Sequence, residues 1–134
     1  MSLRPRDIRV GNNIRYSHEH GEAYTGYVVT ADIIHQTEVC ENTPDDYMFY
    51  MFGFAFEGIP INGEVLKKCG FQQYHVFDMS DGNWMIKTEQ HDFCVTLLHG
   101  EYIAMVHFQV RILYLHQLQN LFFTITGKEL NYKQ

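Results

Sequence analysis

Residues 47–56 read YMFYMFGFAF, ten residues without a charge and with six aromatic rings. This run constrains the fold more than any other stretch, because so much apolar surface has to be covered by something. Its length excludes one solution. Ten residues are about half of the roughly 20 that a helix needs to cross a bilayer, and Asp45, Asp46 and Glu57 bound the run. Alternation offers another. Met48, Tyr50, Phe52, Phe54 and Phe56 would share one face of a strand, with Tyr47, Phe49, Met51, Gly53 and Ala55 on the other. The second face shrinks to Gly and Ala, as it would where another backbone approaches closely. Gly53, the rings and Pro60 argue against a helix. An extended strand covered on both sides is expected. An exposed face of Tyr50, Phe52 and Phe54 would instead mark a seam with a partner or a second copy.

The remainder is expected to be α+β: a curved antiparallel β-sheet with an SH3-like N-terminal part, one short central helix and one C-terminal helix. Ile8, Val10, Ile14 and Tyr16 fall at even spacing around Gly11-Asn12-Asn13. YTGYVVTADIIHQTEV (24–39) continues with β-branched and aromatic residues and reads as strand, with Gly26 at a bend or bulge. Small turns between such strands fit a small curved sheet over residues 1–45. ENTPDD (41–46) is a loop, and residues 46–134 then read strand, helix, β-meander, helix within the same single domain, 1–134. Asn62 as N-cap, Glu64 in the first turn, Lys67 and Lys68 in the last and Gly70 as stop predict a helix over 63–69. Strand patterns resume from Tyr74, with SDGN (80–83) as a hairpin turn and a break at LHGE (98–101). Leu115, Leu118, Leu121, Phe122 and Ile125 follow helical spacing up to Gly127.

That last segment also carries a resemblance. ILYLHQLQNLFFTITGKEL (112–130) is similar to a C-terminal signature, roughly IKYVHQLQNLYFALTGEEL, of an uncharacterised family of small bacterial and phage or mobile-element proteins. GIPINGEVLKKCGF (58–71) resembles that family's PIPLTEEWLLKFGF landmark, and IRVGNNI (8–14) its opening LRIGNLV. The three stand in the same order and span nearly the whole chain. Asn62 and Gly63 replace the usual Thr and Glu, and Val65 replaces Trp. The resemblance implies a fold and a phage or mobile-element setting, and carries no catalytic residue with it.

Composition narrows the function. With 10 Lys plus Arg against 16 Asp plus Glu, the net charge is −6, which argues against a dedicated nucleic-acid binder despite Arg4, Arg6, Arg9 and Arg15. Cys40, Cys69 and Cys94 are odd in number and unpaired by any CxxC spacing, so a disulfide framework is not expected and a reducing cytoplasm is. The charged MSLRPRDIRV start has no signal-peptide pattern. No P-loop, GxSxG, HExxH or dinucleotide fingerprint occurs, and no catalytic residue or cofactor is assigned. His18 and His20 share a strand face as metal ligands sometimes do, yet two ligands make no site, and no metal ligand is assigned. Cys94 with His91 and Asp92 supplies nucleophile chemistry only if tertiary structure aligns them.

The C-terminal helix is more distinctive. Gln117, Asn120 and Thr124 share one face, Gln119 and Phe123 form an adjacent strip, and no Lys, Arg, Asp or Glu occurs from His116 to Gly127. Two accounts compete. The amides lie half-buried and satisfy backbone groups at strand ends, or they recognise a partner. His116 is expected to hydrogen-bond to the end of the preceding strand and fix the corner. The leading functional expectation is a small non-enzymatic interaction protein, binding a protein partner or itself, with no membrane role. Its candidate contacts are Gln117, Gln119, Asn120, Phe123, Thr124, Tyr50, Phe52 and Phe54. The alternative is a small-ligand or metal-binding protein with hydrolase-like activity using its eight His residues.

Overall fold

A computed structural model of the chain describes residues 3, 7–18, 23–39, 54–74, 82–89, 92–106 and 108–133. The elements run β1 (Asn13–His18), β2 (Ala23–Val28), α1 (Ala31–Val39), β3 (Phe54–Glu57), α2 (Gly63–Lys68), β4 (Gln72–Gln73), β5 (Asn83–Lys87), β6 (Asp92–Leu98), β7 (Glu101–Met105), β8 (Gln109–Ile112) and α3 (Leu115–Thr126). They build two antiparallel sheets, one ordered β2-β1-β3 and one a meander ordered β4-β5-β6-β7-β8. The protein is α+β, with its last helix C-terminal.

The N-terminal sheet follows from the alternation around Ile14 and Tyr16. Ile14 pairs with Tyr27 and Arg15 with Thr25, which leaves Gly26 unopposed as a bulge. The extra residue bends β2, and Ile14 and Val29 go fully inside with Leu3, Ile8, Ile33 and Phe56. Phe56 stands opposite Tyr16 in the β1–β3 register, the rings edge-on at 6.4 Å. One residue along, Glu57 meets Arg15 at 2.8 Å. The aromatic run is thus extended over Phe54–Phe56, and its earlier residues, Tyr50 and Phe52 included, lie outside the described residues.

Residues 31–39 depart from the strand expectation: they are helical. Thr30 starts the helix, its carbonyl accepting from Ile34 N at 3.2 Å and its hydroxyl from Ile33 N at 3.4 Å, with Asp32 in the first turn. Ile33 and Thr37, four apart, are the buried pair, and Thr37 satisfies its own hydroxyl by donating to Ile34 O at 2.7 Å. Tertiary cover at that i, i+4 spacing outweighs the strand preference of the β-branched residues.

The second layer packs α2 and α3 on one face of the meander. Asn62 caps α2, its Oδ1 accepting from Val65 N at 2.9 Å, and Gly70 ends the turn at φ 92°. Trp84, Phe93, Val95, Ala104 and Ile112 turn inward from the strands to meet Val65, Leu66, Leu115, Leu118 and Phe122. Phe93 makes edge contacts with Phe71 at 6.3 Å and with Phe122 at 5.3 Å.

Residues 58–61 join the two sheets. Ile61 N donates to Leu113 O and Leu115 N to Ile59 O, at 3.0 and 2.8 Å, and Pro60 lies between these bonds opposite Tyr114. Gly58 passes so close to the start of α3 that a Cβ there would stand 2.8 Å from the Tyr114 ring and 2.9 Å from His116. Gly58→Ala is expected to destabilise the protein by about 1–3 kcal/mol, as overpacking does, measured by urea unfolding. An unchanged midpoint would show that the corner yields freely.

Candidate interaction site on the C-terminal helix

The amide residues of α3 divide into two groups. Gln117 is exposed and serves the helix start, its Oε1 accepting from Leu113 N at 2.9 Å and Tyr114 N at 3.1 Å. Gly127, at φ 73°, closes the other end by donating its N–H to Phe123 O at 2.8 Å. The helix is therefore fixed at both ends by residues of its own.

Gln119 lies inside, 1% exposed. Its Nε2 donates to Asn13 Oδ1 at 2.8 Å and to Leu130 O at 3.0 Å. Its Oε1 accepts from Asn13 N at 2.8 Å and, more weakly, from Asn12 Nδ2 at 3.5 Å. Asn12 Nδ2 also donates to Asn120 Oδ1 at 2.8 Å, and Asn120 Nδ2 to Asp7 O at 3.4 Å. Of the candidate contacts, then, Gln119 and Asn120 sit at the joint between α3 and the N-terminal sheet.

Arg9 borders this joint. Its two terminal nitrogens donate to Glu129 at 2.7 and 3.0 Å, and Nη2 also reaches Gln119 O at 3.4 Å. The guanidinium lies 4.4 Å from the centre of the Phe123 ring. The Arg9 hydrogen bond holds the Glu129 carboxyl below the usual carboxylate range. Phe123 remains 41% exposed, and Thr124 is exposed, its hydroxyl donating to Asn120 O at 2.9 Å. Gln117, Phe123 and Thr124 thus form the outward part of the predicted face. Phe54 lies in β3 with its backbone opposite His18.

Asn12, Asn13, Arg9 and Glu129 were not among the sequence candidates. Gly11-Asn12-Asn13 reads as turn punctuation, and the partners of these residues lie 106 to 120 positions away. The one available signal was a second Asn where a turn needs only one.

His116 is 2% exposed, and its ring stacks on Tyr114 at 5.7 Å and 11°. The expected hydrogen bond from this side chain to the strand end is replaced by stacking, since Nδ1 is buried with no partner among the described residues. Burial pushes its pKa down, partly opposed by Asp7. Among the described residues no three His, Cys, Asp or Glu gather as a metal site. Burial pushes the Cys69 thiol up to about 12, so it is a neutral packing group. Cys94 pairs with Tyr74, whose phenol is raised first by burial and then by that hydrogen bond. His91 lies outside the described residues, so the Cys94–His91–Asp92 grouping is not placed.

No family model, curated protein or solved structure matches the chain.

Gln119→Ala would remove the buried bonds that Gln119 makes to the Asn13 N–H, the Asn13 side-chain oxygen and the Leu130 carbonyl, and is expected to cost about 2 kcal/mol by denaturant unfolding. Phe123→Ala, at the surface, should cost less than about 1 kcal/mol. Similar losses from the two would mean that the joint contributes little. A third expectation concerns pH. The folded-state pKa of His116 lies below its unfolded value of about 6.5, so its contribution is complete above that value and is lost as pH falls below it. Unfolding free energy measured between neutral and mildly acidic pH should fall less steeply in His116→Phe than in the parent protein. Parallel curves would show that other groups set the acid limb.

Proposed function

We propose that the protein is a small, non-enzymatic interaction module that binds a protein partner, or a second copy of itself, through the outward face of α3. The observation that carries this reading is the exposed Phe123, held against Arg9 and followed by the exposed Thr124, on a helix without Lys, Arg, Asp or Glu. An ordinary solvent face carries charges. A face without them loses less hydration when covered, and aromatic residues and Arg are the usual anchors of such contacts. The buried amides beneath make the face rigid, which lowers the entropy cost of association.

The resemblance of 8–14, 58–71 and 112–130 supports a phage or mobile-element origin, and the three widely spaced cysteines support a reducing, cytoplasmic setting. No helix among the described residues is long and apolar enough to cross a membrane. Tyr50, Phe52 and Phe54, from the aromatic run, are proposed as a second contact.

The test is the double variant Phe123→Ala/Thr124→Arg, compared with the parent by sedimentation velocity and by pull-down from the host with mass-spectrometric identification. Self-association, or a reproducible partner, should be lost while stability changes by less than about 1 kcal/mol. A variant that melts far lower yet keeps its associations would overturn the reading.

A further inference from the structure

Away from that face, a cleft of ≈ 480 Å³ opens between the end of α2 and the C-terminal tail. Its size falls within the range of about 300–1,000 Å³ typical of small-molecule sites. Ile86, Phe122 and Leu130 give it apolar walls, and Lys67, Lys68 and Lys133 stand around them. Three of the chain's ten basic residues thus gather at one cleft in a protein of net charge −6. We infer that this cleft binds a small organic anion with an apolar body, the ammonium groups taking the anionic head and the apolar walls the rest. The inference goes beyond the proposed partner face and does not depend on it.

The lysines have little other employment. Cations near a helix C-terminus often serve its unpaired carbonyls. Here backbone N–H groups already serve them: Cys69 N reaches Val65 O and Leu66 O, each at 3.1 Å, and Gly70 N reaches Lys67 O at 2.9 Å. Lys133 N reaches Lys68 O, also at 2.9 Å, which ties the tail down as the second wall. Lys67 lies 3.8 Å from Glu64, an exposed pair of small worth, and Lys68 stands 5.9 Å from the Tyr132 ring, at the outer limit of a cation–π contact. Glu129 is the carboxylate in the lining, and Arg9 holds both its oxygens. The Cys69 thiol, neutral at physiological pH, adds no negative charge. Both walls are preformed, because Leu130 is buried and its carbonyl is held by Gln119.

Octanoate is the probe, with octyl phosphate to separate carboxylate from phosphate, and octylammonium and octanol as controls. Each is titrated into the intact protein at low ionic strength and followed by amide chemical shifts. Octanoate or octyl phosphate should bind saturably, shift the amides of Ile86 and Leu130, and exceed octylammonium by roughly tenfold in affinity. Lys67→Gln/Lys68→Gln/Lys133→Gln, all surface changes, should lower that affinity roughly tenfold, as losing three exposed charge contacts would. Ile86→Trp, which fills the cleft and keeps the lysines, should abolish binding. Equal binding of octylammonium, retention by the triple lysine variant or by Ile86→Trp, or no saturation by either anion would each overturn the inference. The Phe123→Ala/Thr124→Arg variant should bind octanoate normally, which separates this test from that of the partner face.

Discussion

A primary amide can donate two hydrogen bonds and accept two, and Gln119 uses all four positions in the interior of the protein. The rest of the architecture depends on that. Among the described residues, the N-terminal sheet buries a cluster of Leu3, Ile8, Ile14, Val29, Ile33 and Phe56, with Tyr16 and Ile34 packed against it, apart from the larger cluster under the meander. Between the two clusters lies a polar joint. Gln119 supplies the attachment by binding the backbone and side chain of Asn13 on one side and the Leu130 carbonyl on the other. A neutral amide suits the position better than a charged group. An ion would carry a desolvation penalty of several kcal/mol, whereas a fully bonded amide leaves nothing unsatisfied.

Direction comes with the attachment. Apolar surfaces slide over one another at small cost, but an amide bonded to both the N–H and the Oδ1 of Asn13 fixes register and angle. Arg9 and Glu129 close the same joint at its rim with a two-bond pair. Gly58 marks its far side, where the chain passes within contact of Tyr114 and His116. Burial there pushes the pKa of His116 down, and its stacked ring leaves Nδ1 without a hydrogen-bond partner among the described residues.

What was legible in the sequence was local. Asn62 and Gly70 mark the ends of α2, leucine spacing and Gly127 mark α3, and Gly26 marks the bulge, since each signal acts within a few residues. Helix α1 was not legible, because Ile33, Ile34 and Val39 vote for strand until Ile33 and Thr37 find cover in a neighbouring layer. The joint was legible by half. The absence of charge along 116–127 showed that α3 was unusual, but not which amides faced in. That is decided by Asn12 and Asn13, more than a hundred positions earlier. The stacking of His116 was hidden likewise, since it requires the missing side chain at Gly58.

Glu129 links the two surfaces proposed for this protein, and the linkage has a sign. On one side Arg9 joins it to Phe123; on the other it lines the lysine-rimmed cleft. While Arg9 holds both carboxylate oxygens, the cleft sees a compensated charge beside its three lysines, as the proposed preference for anions requires. A partner that covers Phe123 and leaves Arg9 in place removes water from the Arg9–Glu129 pair and strengthens it. A partner that draws Arg9 onto its own carboxylate instead leaves Glu129 facing the cleft uncompensated, and disfavours an anion there. On the two proposals taken together, the contact made by one guanidinium would couple the outward face of α3 to the cleft, and by reciprocity an anion in the cleft would favour partners of the first kind.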